Sequence, residues 1–199
     1  MTTLFPLPAG SPPRPVPGSR SGTQPPVSVA GFRDLMGAFP TGVAVITTYG
    51  ADGRPRGLTC SSLASVTAEP PTVSVGLTTR GETLRALREH GGFAVNLLHR
   101  YGRHAAEVFA RRSENRFAEV AWAPSPEAGL PWLTEAAFVT ADCRVTRLTE
   151  VGDHTVVLGE VSDVLRKPGT PLLYGAREFA VWPGGELPPP LPAAGELAS

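Results

Sequence analysis

"AAFVTADCRVTRLTEVGDHTVVLGEVSDVLR", residues 136 to 166, decides the fold. Apolar and polar side chains alternate at period two on either side of a Glu150 to Asp153 connection, the pattern of two long antiparallel strands joined by a short turn. Working outward, "TGVAVITTYGADGRPRGLT" (41–59) reads as a β-hairpin: the β-branched run Val43 to Thr48 turns through Gly50-Ala51-Asp52-Gly53 and returns toward Leu58. "PTVSVGL" (71–77) and "FAVNLL" (93–98) add strands. "GETLRALREHGG" predicts a brief helix capped by Gly91, and "RYGRHAAEVFARR" a second with Ala105, Val108 and Phe109 on one face. "GFRDLMGAFP" predicts a third, with Phe32, Leu35, Met36 and Phe39 at i, i+3, i+4 and i+7, ended by Pro40. Antiparallel strands with a few short helices predict a mainly β domain, a closed or nearly closed antiparallel barrel rather than a βαβ sheet.

The chain has 18 basic and 18 acidic residues, a balance that gives no general attraction to nucleic acid or to a membrane. No stretch approaches the roughly eighteen apolar residues a membrane helix needs, and no signal-type segment opens the chain, so a cytoplasmic protein is expected. The cysteines, Cys60 and Cys143, are expected to be reduced and buried. Pro- and Gly-rich ends mark residues 1–30 and 183–199 as disordered tails around a single domain at 31–182. No G-x-G-x-x-G or G-x-S-x-G motif occurs, and Lys167 is the only lysine. His90, His99, His104 and His154 lack metal-ligand spacing, so no metal is expected, and catalysis needs either an unmarked nucleophile or a borrowed cofactor.

"GLTCSSLASVTAEPPTVSVGL" (57–77) carries a row of hydroxyls: Thr59, Ser61, Ser62, Ser65 and Thr67. They could form the solvent face of a strand, where Ser and Thr commonly sit. Ser62, however, breaks the alternation, which predicts a kink presenting amides and hydroxyls together, a set of donors suited to phosphate.

The succession "FRDLMGAFPTGVAVITT", "GLTCSSLASVTAEPPTVSVGL", "FAVNLL", "NRF" and "GDHTVVLGEV" resembles the flavin reductase family, whose fold is the FMN-binding split barrel, over roughly residues 31 to 175. The resemblance implies an NAD(P)H:flavin oxidoreductase that reduces FMN or FAD with NADH or NADPH and supplies a partner oxygenase. It also implies a homodimer. By carry-over, Thr59, Cys60, Ser61, Ser65 and Val66 hold the flavin phosphate and ribityl chain; Thr41, Gly42 and Val43 lie near the flavin; and Asn96 meets its polar edge, unless backbone satisfies that amide. Gly152, Asp153, His154 and Thr155 would form the nicotinamide site, His154 positioning the reacting ring; read without the resemblance, the same residues are a hairpin turn. Where relatives usually carry a serine, this chain has Gly81; it keeps Thr83, and Arg80 is placed to supply the missing phosphate contact. An alternative within the fold is a protein that holds flavin tightly and does not turn over NAD(P)H.

Overall fold

The computed structural model describes residues 27–113 and 115–187; most of the two expected tails therefore lies outside the described residues. Helix α1 (Val29–Gly37) starts ahead of the expected boundary at Gly31, because the Ser28 hydroxyl accepts from Gly31 N at 3.1 Å and caps it. Strands β1 (Thr41–Gly42), β2 (Ala44–Tyr49), β3 (Pro55–Cys60), β4 (Ala64–Ala68) and β5 (Pro71–Thr78) follow, then α2 (Glu82–His90), β6 (Gly92–Leu98) and α3 (Arg103–Ala110). The remainder is β7 (Ala123–Pro124), β8 (Pro131–Trp132), the long pair β9 (Ala137–Val151) and β10 (His154–Arg166), and β11 (Leu172–Gly175) with β12 (Glu178–Val181). Among the described residues no helix is long and apolar enough to cross a membrane.

Seven strands form one antiparallel sheet in the order β3-β2-β6-β9-β10-β5-β4. Its centre is the predicted β9–β10 hairpin, with Val151 opposite His154 and Gly152 at φ 61 in the first turn position, where a two-residue type II′ turn requires positive φ. A second glycine sets the interior: a Cβ on Gly159 would lie 2.5 Å from the Phe93 ring, and the β9–β10 register shifts between Leu158 and Gly159. The missing side chain is what lets the fully buried Phe93 fill the space inside the curled sheet.

Strand β2 is buried on both faces, which is why "VAVITT" reads as an almost continuous apolar run. Ala44 and Ile46 face one cluster with Val75, Leu77, Phe93 and Val157, and there α2 inserts Leu84 and Leu87. Val43 and Val45 face a second cluster, covered by Ala105, Val108 and Phe109 of α3, the helical face expected from their spacing. Gly91, at φ 79, ends α2 as expected.

The sheet does not close through a strand ladder, since β3 and β4 are its two edges. A side chain spans the gap instead. The Ser62 hydroxyl donates to Gly76 O and accepts from Gly76 N, both at 3.0 Å, satisfying both backbone groups of β5 as a neighbouring strand would. The kink expected at Ser62 is thus the point where the edges of the barrel meet, and the barrel is split rather than closed. The small sheet β1-β11-β12 had no clear signal, because two-residue and four-residue strands are too short to show a period.

Candidate active site

The hydroxyl row separates into two groups. Thr59 Oγ1 donates to Ala106 O of α3 at 2.6 Å, Ser62 spans to Gly76, and Thr67 Oγ1 accepts from Glu69 N at 3.2 Å. Ser61 and Ser65 are exposed and have no partner among the described residues. Val66, 52% exposed, sits at a register shift between Ser65 and Thr67 on edge strand β4, all of whose residues are exposed.

The two cysteines are buried and free. Cys60 contacts the Ser62 hydroxyl at 3.1 Å, and burial pushes its thiol above the ordinary value; burial raises Cys143 to about 12, with the charge of neighbouring Asp142 adding to the effect. Neither forms thiolate near neutrality. A thiol reagent at pH 8 is therefore expected to label neither cysteine in the native protein and both after denaturation; fast native labelling would contradict the burial.

The two stretches expected to meet the coenzyme come together at one end of the barrel. His154 opens β10 opposite Thr78, and Thr79 N donates to Asp153 O at 2.9 Å, which sets the "GDHT" turn beside the loop leading into α2. Arg88 of α2 donates to Glu150 Oε1 at 2.8 Å and braces the hairpin from the other side. Thr155 is buried and its hydroxyl is 3.1 Å from that of Thr79, so it ties the strands together. His154 is half exposed, with Nδ1 2.7 Å from Asp153 Oδ1. That hydrogen bond from the ring holds the Asp153 carboxyl below its usual range. Asp153 remains a carboxylate at neutral pH, so Nδ1 carries the proton toward it and Nε2 is left for a ligand.

Arg80 is exposed beside Gly81, the residue that precedes α2 and makes no side-chain cap. The start of α2, with its first-turn N–H groups uncapped by a side chain, borders a cleft of about 360 Å³ lined by Thr79, Arg80, Gly81, Glu82, Arg85, Arg88 and Glu89. Glu82 also lines a larger cleft of about 510 Å³, where Arg54, Arg56 and Gly57 of the first hairpin face Arg116 and Phe117. Arg116 donates to Gly57 O at 2.8 Å and to Arg111 O at 2.7 Å, and burial lowers its pKa while Glu82 opposes the shift. "NRF" was among the stretches carrying the resemblance, but Arg54, Arg56 and Arg116 were given no role there. Their only sequence signal was "GRPRG" at a hairpin tip, which reads as an ordinary solvated turn.

Several expected contacts are not made by side chains. Val43 lies in the core, Cys60 is buried, and Thr83 is buried on α2. Thr41 and Gly42 pair with Tyr174 and Leu173 in the small sheet. Asn96 takes the alternative left open for it, an amide satisfied within the protein. Fully buried, it donates to Val45 O and Thr47 Oγ1, both at 3.1 Å, and accepts from Leu133 N at 2.7 Å. Its amide is satisfied inside the protein, because β6 is covered on both faces, and it does not open toward the clefts.

A split antiparallel barrel with open hydroxyls along its edge, an uncapped helix N-terminus and an exposed histidine beside it offers the kinds of donor that phosphate-bearing cofactors take. Residues 36–183 match the flavin reductase like domain model. The flavin reductase (NADPH) of Lentzea aerocolonigenes is 54% identical over 156 residues, 78% of this chain and 91% of that protein. The flavin-dependent monooxygenase reductase subunit HsaB of Mycobacterium tuberculosis is 35% identical over 146 residues, covering 72% of this chain and 76% of that one. The solved Streptomyces globisporus C-1027 NADH:FAD oxidoreductase SgcE6, in complex with NAD and FAD fragments, superposes with a TM-score of 0.71 at 34% identity, covering 76% and 90% of the two chains. The chain belongs to the flavin reductase-like family.

Proposed function

We propose that the protein is a cytoplasmic NAD(P)H-dependent flavin reductase that transfers hydride from NADH or NADPH to FMN or FAD and supplies the reduced flavin to a partner monooxygenase. The observation that carries this reading is the joining of the "GDHT" turn to the α2 entry loop through Thr79 N and Asp153 O, 2.9 Å apart. It brings an exposed imidazole beside an anion-binding helix start. Flavin, when bound, supplies the hydride-accepting ring. The chain has only to hold two planar rings face to face and exclude water, so no acid–base constellation is needed. The donor set fits the group: Ser61 and Ser65 offer open hydroxyls, Arg80 a charge, and α2 its first-turn amides. Asp153 orients His154, and His154 meets the nicotinamide.

The test is oxidation of NADH and NADPH by the purified protein with FMN, FAD and riboflavin added in turn. Flavin-dependent turnover is expected; a protein that keeps its flavin through gel filtration and oxidises neither coenzyme would overturn the reading. Changing Ser61 and Ser65 together to alanine is expected to weaken flavin binding on the order of tenfold, each neutral hydrogen bond contributing about 0.5–1 kcal/mol. Unchanged affinity would remove both from the site.

The assembly expected for this function is a homodimer. Among the described residues the apolar face of α1 and the Phe39 that follows it stay largely uncovered: Phe32, Leu35, Met36 and Phe39 are 47% to 66% exposed, and every residue of β4 is exposed. An apolar stripe of this kind marks an interaction surface. Light scattering is expected to give twice the 20.9 kDa chain mass, and Phe32→Glu with Leu35→Glu to give the monomer. A wild-type monomer would remove the dimer from the proposal.

A further inference from the structure

We infer that the 510 Å³ cleft between the first hairpin and the "NRF" segment receives the adenylate half of FAD, making FAD rather than FMN the favoured flavin. The inference rests on the flavin reductase reading and extends it to the choice of substrate. The two clefts meet at the start of α2, because Glu82 lines both. A flavin phosphate held at the α2 N-terminus therefore stands at their junction. FMN ends there in a phosphomonoester. FAD continues with a second phosphate, a ribose and an adenine, which need positive charge close to the first phosphate and a flat apolar surface beyond it.

The larger cleft offers both. Among its described lining residues are three arginines, Arg54, Arg56 and Arg116, against one carboxylate, Glu82. Two of the three are already held in place. Arg56 Nη2 lies 2.8 Å from Asp52 Oδ2, and the arginine side chain is 26% exposed; Arg116 is fixed on Gly57 O and Arg111 O. Preorganised donors lose little side-chain freedom on meeting a phosphate, and the guanidinium geometry suits bidentate contact. Arg54 has no partner for its guanidinium among the described residues and is free to close on a ligand. Phe117 supplies aromatic surface, held edge-on by Phe109 at 5.0 Å and Trp122 at 5.4 Å between ring centroids. The volume falls in the roughly 300–1,000 Å³ range of small-ligand pockets.

The smaller cleft suits the second half of FAD less well. Its three arginines, Arg80, Arg85 and Arg88, face two glutamates, Glu82 and Glu89, instead of one, and its described lining holds no aromatic ring for an adenine. It also adjoins His154, where the nicotinamide coenzyme is expected.

The experiment measures equilibrium binding of FAD and FMN to the full chain by calorimetry, with no reductant present, for the wild type, Arg54→Ala and Arg116→Ala. The wild type is expected to bind FAD about tenfold more tightly than FMN, the equivalent of one charge-assisted hydrogen bond. Arg54→Ala is expected to remove most of that difference while changing FMN affinity less than twofold. Arg54 is exposed and its guanidinium makes no hydrogen bond or salt bridge among the described residues, so this variant stays informative even if Arg116→Ala fails to fold. Equal binding of FAD and FMN by the wild type, or parallel loss of both in Arg54→Ala, overturns the inference and leaves the reductase reading standing. An Arg54→Ala effect confined to NADP⁺ binding also overturns it and assigns the cleft to the coenzyme. Binding of neither flavin, with no flavin-dependent NAD(P)H oxidation, overturns both.

Discussion

Replacing His154 with alanine is expected to raise the Michaelis constant for the preferred nicotinamide coenzyme about thirtyfold, while the flavin dissociation constant moves less than twofold. The ring is at the rim of the hairpin and half exposed, so its removal opens no cavity. Its Nδ1 is committed to Asp153, which leaves Nε2 and the ring face as the parts available to a coenzyme. Losing a stacking surface together with a hydrogen bond is worth about 2 kcal/mol, or roughly thirtyfold in affinity. Asp153→Asn separates orientation from contact. It keeps the size of the side chain and removes the charge that selects the tautomer, so a smaller rise of a few-fold is expected. Steady-state kinetics at saturating flavin, with flavin binding measured separately, checks both. An unchanged coenzyme response in His154→Ala removes His154 from the site.

Asn96→Leu is expected to destabilise the domain by about 3 kcal/mol, lowering its melting temperature by roughly 6–12 °C. Leucine roughly preserves the volume, so the loss is polar. Leu133 N and Val45 O each lose a partner, and so does the Thr47 hydroxyl. The effect reaches beyond β6, since the bond to Leu133 N fastens the segment after β8 to the sheet. The folded variant is expected to bind flavin with unchanged affinity. A normal melting temperature with weakened flavin would reverse the assignment and place Asn96 at the cofactor.

These two residues also show what could be read in advance. His154 was legible because a turn makes its neighbourhood local: Gly152, Asp153 and the first residue of β10 are set by the hairpin alone. Asn96 was not, because its partners come from different parts of the chain: Val45 and Thr47 reach it when β2 and β6 pair, and Leu133 when the segment after β8 packs on the sheet. The hydroxyl row was legible as far as the break at Ser62, but not which of its members would find partners inside the fold. Which hydroxyls stay open depends on α3 approaching Thr59 and on β5 presenting Gly76 to Ser62. The arginine cleft was missed because Arg54 and Arg116 are far apart in sequence and nothing local marks them as neighbours.

By itself, the sequence determined the antiparallel β architecture, the long central hairpin, the three short helices, the free buried cysteines and membership of the flavin reductase-like family. The structural features follow from periodicity, turn residues or composition, signals that act over a few residues, and the family from the resemblance carried by a succession of motifs along the chain. Tertiary structure alone decided that Ser62 spans the split in the barrel, that Asn96 belongs to the core, that among the described residues α1 leaves an apolar face exposed, and that two clefts share the start of α2. Those outcomes depend on which surfaces remain after distant segments have buried theirs, and no local pattern of side chains records what a distant strand or helix will cover.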